Sequence, residues 1–520
     1  MQEKGINIDK NSTIIPKISK YTLFILAIFG LATIVRFIYF PFDVPLNSDA
    51  LYYFWYSSDI IQLGELPNNW SPTNNGWPIF VSSFFSILDE NNIQSLMLIQ
   101  RILSVILSTL ISIPVYFLCK KFVEKKFAII GSLLIAFDPR LMINSFLGVT
   151  DPLYLLLITT SLTLFLYSNK KLIYFSFIIV AFSTLIRSEG VIFFIGMLIV
   201  FFIRYRHEKY KIILKYILII VIFGLIIFPL SAYRLDTINN DGIFLRVTNS
   251  VEQLIDIEEG DEENNLVFGF EILLKYLIWI MIPNFIIFIP LGIFLIFKKK
   301  TIENISIIIL SGIMLIPALY AYFVPALDTR YLYVLLPMFS VLTVLSIEKI
   351  IGKRDKTNLI IVIIISSIII SSIIFYDYKK IDYEHEKEAY EIMEKISPRI
   401  KGANILYPET SYFDTAQTIQ QWPEISTEMK FKIKRIPTDN FDTLQDFINN
   451  SKELGLSHIL VDNNVNREKF LNELFLNEKK YSYLEKIYDS KDDGFSYQMK
   501  VFEIDYNMLN NEQQVLTINE

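Results

Sequence analysis

Charged side chains lie beside apolar stretches of this chain in a pattern that calls for a chemical explanation. Asp49 follows the first long apolar run, Asp138, Arg140 and Asp151 bracket a break between two later ones, and Arg187 and Glu189 fill the next break. Asp328 and Arg330 precede another run, and Arg101 stands near the start of the second. A charge at the centre of a membrane helix costs about 2.5–3.5 kcal/mol on insertion scales, so each of these residues needs either a way out or a use. Any one alone could cap a helix end or extend its charge to the interface. Together they supply carboxylates, which can take a proton, and guanidinium forks, which match phosphate oxygens, from several separate turns. The set suits a site that handles a phosphate and a proton.

The rest of the composition narrows the field. Of the 520 residues 52% are hydrophobic, and the mean hydropathy is +0.41, too apolar for ordinary soluble domains. Cys119 is the single cysteine, so neither an internal disulfide nor a thiolate metal site can form. His207, His385 and His458 are the only histidines and stand far apart, which leaves carboxylates as the acids, bases or metal ligands. A net charge of −6 gives no support to nucleic-acid binding.

A helix needs about 20 apolar residues to cross roughly 30 Å of hydrocarbon. Segments near 21–40, 95–119, 127–147, 152–168, 172–187 and 189–204 meet or approach that length, as do 211–230, 272–297, 303–324, 331–348 and 358–375. The expectation is a polytopic α-helical membrane protein with about eleven transmembrane helices, in which residues 1–20 precede a membrane domain over 21–375. Every second connection is basic: Lys17 and Lys20, Lys120 to Lys126, Lys170 and Lys171, Arg204 to Lys211, Lys298 to Lys300, and Lys349 to Lys356. Cations in short loops stay cytoplasmic, so the N-terminus is expected inside and the C-terminus outside. In a prokaryote the membrane would be the plasma membrane. The polar connections at about 41–94 and 231–271, and everything from 376 to 520, then face out, together with the acids and arginines.

Residues 376–520 read as a small soluble α/β domain. Ala403 to Tyr407 and His458 to Val461 suit buried strands, and Leu444 to Leu454 and Glu468 to Phe475 have helical spacing. Gly455 falls where a helix would end. Tyr483 to Tyr488 and Tyr497 to Ile504 alternate as a hairpin does, around Asp493-Gly494. The acidic run Asp256 to Glu263 reads as a solvated loop. Trp55, Trp70 and Trp77 suit either stacking on sugar rings or anchoring at the interface.

Several short motifs, taken in order, resemble the integral-membrane glycosyltransferases of the GT-C fold that use polyprenyl-phosphate sugars. They are Asn47-Ser48-Asp49-Ala50, Gly76-Trp77-Pro78, Arg101-Ile102-Leu103-Ser104 and Val115-Tyr116-Phe117, then Phe137-Asp138-Pro139 and Thr150-Asp151-Pro152. Leu185-Ile186-Arg187-Ser188-Glu189-Gly190 and Thr329-Arg330-Tyr331, with Pro337 beyond, complete the series over roughly residues 20–350. The likeness is greatest to the protein O-mannosyltransferase and aminoarabinose-transferase branch. Ala50 departs from the adjacent Asp-Glu pair usual among the mannosyltransferases, which bears on the acceptor and the exact branch.

The resemblance implies transfer of a sugar from a polyprenyl-phosphate donor to a protein, lipid or glycan acceptor at the outer membrane–water interface. It makes Asp49 the general base, a carboxylate partly withdrawn from water, with Asp151 as a second catalytic carboxylate. Arg187, and Arg330 as a second candidate, would meet the lipid phosphate; each could instead pair with its neighbour, Glu189 or Asp328. Arg101, Glu189 and Trp77 complete the expected substrate-binding set. Asp49 and Asp151 could share Mg²⁺ or Mn²⁺, which take oxygen ligands. An oligosaccharyltransferase would share the fold and face, and Phe146 to Asp151 resembles that group's second acidic loop. The tail lacks the Trp-Trp-Asp-Tyr-Gly signature of that class. A transporter is the rival of a different class, expected to show related halves and broken helices at the membrane midplane.

Overall fold

A computed structural model of the chain describes residues 20–510 except 88–91, 168, 244–261, 324–325, 353, 401–403, 407–411, 423–437 and 439–440. Most of the acidic run from Asp256 therefore lies outside the described residues. The apolar segments become helices because lipid supplies no partner for backbone N–H and C=O groups. They are α1 (Lys20–Ile38), then α4 (Ile93–Leu110) with α5 (Ser112–Cys119), α6 (Lys125–Ala136) with α7 (Pro139–Phe146), α8 (Asp151–Phe165), α9 (Lys170–Ile186) and α10 (Gly190–Tyr205). After them come α11 (Lys211–Ile238), α12 (Glu262–Met281), α13 (Ile289–Lys298), α14 (Ile302–Phe323), a 3₁₀ turn (Thr329–Leu335) running into α15 (Leu336–Ile351), and α16 (Thr357–Ile396). The polar stretch after α1 is itself helical, with α2 (Ser48–Leu63) and α3 (Gly76–Phe85).

Each of the eleven expected segments is helical, yet among the described residues only seven helices are long and apolar enough to cross a membrane, or eight if the bent pair α6–α7 is one span. The difference is one of length. At 15 residues α8 reaches about 22 Å, short of the roughly 30 Å of hydrocarbon. α9 has 17 residues, and the segment expected over 272–297 is divided between α12 and α13.

The break between α6 and α7 bends the chain by 43°. Pro139 opens α7 and could not continue α6, because it lacks an N–H and its ring clashes with the preceding turn. The groups freed at the bend are met by side chains: Arg36 donates to the Ala136 carbonyl at 2.6 Å, Ser372 and Tyr376 donate to the Phe137 carbonyl, and Asp138 accepts from the Arg140 and Leu141 amides at 3.0 Å. Asp138 is thus a helix cap. Arg140 donates to the Ile282 carbonyl at 2.5 Å with its guanidinium over Trp279.

α16 continues for 40 residues, well past the apolar run, and leads into a four-stranded sheet. Its strands β1 (Asn404–Leu406), β2 (Leu456–Asp462), β3 (Leu484–Asp489) and β4 (Met499–Ile504) lie in the order β1-β2-β4-β3. β1 pairs parallel with β2, and the hairpin β3–β4 joins β2 antiparallel. Gly455 and Gly494 both take positive φ, at 80° and 81°, as the expected helix end and hairpin turn require. The sheet is held by fully buried Phe447, Ile459, Leu474 and Phe502, each contributing about 1.5–3 kcal/mol of burial. Three further α-helices follow α16: α17 (Tyr412–Gln421), which joins this part to the membrane helices, and α18 (Leu444–Ser451) and α19 (Lys469–Leu476), which fall where helical spacing was expected. Thr415 donates to the Leu46 carbonyl at 2.6 Å, and Trp55 of α2 donates to Thr418 at 3.1 Å.

Candidate active site

Two ends of the helix bundle differ in charge. At one, Lys125 lies over the Tyr21 ring, Lys121 over Tyr167, and Arg204 donates to the Phe165 and Tyr167 carbonyls. At the other, turns from six separate helices converge, and three buried side chains bind them together. Arg101 on α4 donates to the Phe146 carbonyl at 2.7 Å, the Pro41 carbonyl at 3.0 Å and the Val44 carbonyl, and its guanidinium packs on Phe40. Beside it, Gln100 donates both to the Ala50 carbonyl and to the Gly148 carbonyl, each at 2.9 Å. Trp77 donates to the same Gly148 carbonyl at 3.0 Å.

Two glycines make this convergence possible. Gly148 has φ +77° and lies against Leu46 and Arg101, where a side chain would be both strained and crowded. Gly76 opens α3 so close to Leu185 that an added Cβ would fall 2.7 Å from its backbone. The result is that the start of α2, which carries Asp49, is fixed beside the turn that leads into Asp151, with Arg187 next to Asp151.

The charged groups form one connected cluster. Arg187 contacts Asp151 through one terminal nitrogen and Glu189 through the other at 2.8 Å, while its Nε meets Glu189 at 3.4 Å. Burial works against its charge, and the two carboxylates more than reverse this, holding its pKa well above the ordinary arginine value. Arg330 lies between the two aspartates: its Nε donates to Asp328 at 2.5 Å, Nη2 is 3.6 Å from Asp49, and Nη1 is 3.9 Å from Asp151. Those last two contacts exceed hydrogen-bond length, so the terminal nitrogens of Arg330 retain donors that Arg187 has already committed. Asp151 also accepts from Asn144 at 3.1 Å.

Arg330 forms the wall between two hollows. A cavity of about 330 Å³ is lined by Ser48, Asp49, Asn144, Asp328, Arg330 and Tyr333 among others, within the roughly 300–1,000 Å³ range of small-molecule sites. On the other side, Asp151, Tyr154, Arg187, Glu189, Arg330 and Tyr331 line a crevice of about 10 Å³, room for a single water. Ser48 enters α2 in the left-handed region at φ 46°, a conformation that costs a non-glycine residue of order 1–3 kcal/mol and directly precedes Asp49.

The expected residues divide accordingly. Asp49, Asp151, Arg187, Glu189 and Arg330 come together, and neither aspartate is a cap: Asn47 and Thr150 hold those positions. Arg101 and Trp77, expected to bind substrate, instead have their donors on backbone carbonyls, and Trp77 is fully buried. They hold the loops in place. Trp55 is likewise buried. Asp49, expected to be partly withdrawn from water, instead has a side chain 61% exposed; the carboxylate withdrawn from water is Asp151, whose side chain is 3% exposed. The space between Asp49 and Asp151 holds the Arg330 guanidinium, and among the described residues no three His, Cys, Asp or Glu side chains are grouped to hold a metal. Gln100 and Asn144 escaped the sequence reading; an uncharged polar residue in an apolar segment was the available signal.

Known proteins share this arrangement at the level of fold. The archaeal oligosaccharyltransferase AglB from Archaeoglobus fulgidus, in complex with an inhibitory peptide and a dolichol-phosphate, superposes with a TM-score of 0.56 at 12% identity, over 85% of this chain and 70% of that one. ArnT from Cupriavidus metallidurans, bound to undecaprenyl phosphate, superposes with a TM-score of 0.56 at 8% identity, over 93% of this chain and 98% of ArnT. The chain has the GT-C fold. Within this GT-C chain, residues 77–233 match the family model described as dolichyl-phosphate-mannose-protein mannosyltransferase. The matched stretch carries Asp151, Arg187 and Glu189, while Asp49 and Arg330 lie outside it. No curated protein matches the sequence.

Proposed function

We propose that this protein is a glycosyltransferase that moves a sugar from a polyprenyl-phosphate donor to an acceptor at the extracytoplasmic face of the membrane. The observation that carries the reading is the position of Arg330, whose free donors stand between a carboxylate open to the cavity, Asp49, and a buried one, Asp151. Three tasks follow from the chemistry. The acceptor must lose a proton, positive charge at the sugar must be tolerated, and the departing phosphate must be neutralised. Asp49 is the general base, a role typically worth about 10²–10⁴ in rate. Asp151 faces the sugar from the opposite side, held by Arg187 and Asn144. Arg330 meets the phosphate through its terminal nitrogens, with Arg187 behind it.

The family match over 77–233 and the GT-C fold support the same reading, as do the polyprenyl phosphates named for the AglB and ArnT structures. The distribution of cations supports the orientation, since the basic connections gather at the end opposite the site. The experiment is to supply the purified protein with a panel of polyprenyl-phosphate monosaccharides and a pyrophosphate-linked oligosaccharide, and to follow release of the lipid phosphate. Turnover of a monosaccharide donor supports the proposal. Turnover of the oligosaccharide alone would make the protein an oligosaccharyltransferase, and transport of the donor without its consumption would make it a transporter.

A further inference from the structure

The side chain of Asp49 is exposed on the 330 Å³ cavity and meets Arg330 at 3.6 Å, so its direction depends on the backbone that carries it. That backbone departs from an ordinary helix start. Asn47 stands at the N-cap of α2, where an Asn side chain usually accepts from the amides of the first turn, and here it makes no such bond. Ser48 follows in the left-handed region at φ 46°. A non-glycine residue stays in that region only where its surroundings fix it.

The surroundings grip the chain from two sides. From the membrane helices, Arg101 donates to the Pro41 and Val44 carbonyls and Gln100 donates to the Ala50 carbonyl. From the C-terminal part of the chain comes α17. Its Thr415, fully buried, donates to the Leu46 carbonyl at 2.6 Å. Three residues earlier, on the same face, buried Tyr412 gives its hydroxyl proton to Glu386 of α16 at 3.0 Å. The same hydroxyl is hydrogen-bonded to the Asn47 side chain, and with its one proton already given, the Asn47 amide nitrogen is the donor. The residue that would cap α2 is thus turned to α17 instead. Its backbone carbonyl accepts from the Ala50 and Leu51 amides at 3.1 and 3.3 Å, so a hold on Asn47 is a hold on the helix turn that bears Asp49.

We propose that Tyr412 and Thr415 are positioning residues for the general base. By fixing Leu46 and Asn47 they keep Ser48 in its left-handed conformation and direct Asp49 to the cavity. This rests on the transferase reading. It gives α17 a part in proton removal and none in donor binding, since neither Tyr412 nor Thr415 lines the cavity.

A double-mutant cycle in the full-length protein, held in lipid nanodiscs, tests this. Thr415→Val keeps the shape of the side chain and removes the donor to Leu46, and Thr415→Ser keeps the donor. The substrate is the polyprenyl-phosphate monosaccharide from which the wild type releases lipid phosphate fastest, and its affinity and turnover are both measured. Thr415→Val should bind it within about two-fold of wild type and turn it over about ten-fold more slowly or worse, because misplacing a reacting group by ~1 Å can cost about 10². Thr415→Ser should recover most of that loss. In Asp49→Asn, adding Thr415→Val should change the residual turnover by less than about two-fold, since no base remains to be misplaced. A smaller loss in Thr415→Val overturns the proposal, and so does the same loss with and without Asp49, which a merely structural role would give. Should Thr415→Val not fold, Tyr412→Phe is carried through the same cycle, with the same results overturning the proposal. A wild type that turns over no polyprenyl-phosphate monosaccharide refutes the transferase reading instead.

Discussion

Replacing Arg330 by Gln separates a catalytic cation from a structural one. Its pair with Asp49 at 3.6 Å involves a carboxylate 61% exposed, so the aqueous limit of about 1 kcal/mol applies rather than the roughly 4–5 kcal/mol of a screened interior. Its contact with Asp328 is also partly exposed, at 29% and 36%, and is worth about 1 kcal/mol at most. Asp151 is buried but keeps Arg187 and Asn144 when Arg330 is lost. The cost to folding is therefore about 1–2 kcal/mol. The cost to the transition state is larger if the terminal nitrogens meet the departing phosphate, because losing one preorganised donor there typically costs about 2.7–4 kcal/mol, or 10²–10³ in kcat. The assay is release of polyprenyl phosphate at saturating donor, with thermal melting as the control for folding. Arg330→Lys, which keeps the charge and loses the fork, falls between Arg330→Gln and the wild type. A kcat within about ten-fold of wild type for Arg330→Gln, at unchanged Tm, would refute the assignment of Arg330 to the phosphate.

Three other outcomes follow from the same structure. Trp77→Phe removes the donor to the Gly148 carbonyl while keeping an aromatic ring, and should lower stability by about 1 kcal/mol without changing the apparent affinity for donor, which titration against melting would establish. Turnover should persist in excess EDTA, since a guanidinium stands where a cation shared by Asp49 and Asp151 would bind; abolition by EDTA and recovery with Mn²⁺ would contradict this. Burial lowers the pKa of His458 on β2 below the ordinary histidine value, so the folded state disfavours its proton. Its contribution to stability is present above the unfolded pKa, near 6.5, and is lost as pH falls below it. The Tm of the wild type should drop more between pH 7.5 and 5.5 than that of His458→Gln, and equal drops would sink the assignment.

Much of the architecture is written in composition. Apolar runs of 16 or more residues all became helices, because lipid and core leave an apolar backbone no other hydrogen-bonded state. The strands at 404 and 456 and the hairpin around Gly494 followed from alternation and turn chemistry. What remained hidden depends on contacts distant in sequence. α2 and α3 fill the stretch expected as a loop, because α2 packs against α3 and α3 packs against α4 and α9. α8 looks like a span by hydropathy, but it is only 15 residues long and lies buried among neighbouring helices.

The site was legible as a set of residue types and not as a division of labour. That acids and arginines would meet at one end could be argued from alternating basic connections. Which arginine is free could not. Arg101, Arg187 and Arg330 are equivalent as letters, yet one has its Nε and Nη1 on backbone carbonyls, one is locked between Asp151 and Glu189, and one keeps open donors between Asp49 and Asp151. Only the three-dimensional list of partners separates them. Asn144 was invisible for the same reason, since a single Asn between Ile143 and Ser145 carries no pattern.

The most direct test of the account is Asp49→Asn in the purified protein, measured for both donor binding and donor turnover. Asp49 lies at the cavity rim and does not bear on the fold, so the account predicts donor affinity near that of wild type and turnover reduced by about 10²–10⁴. Turnover equal to wild type, with the same donor bound, would contradict a general base at Asp49.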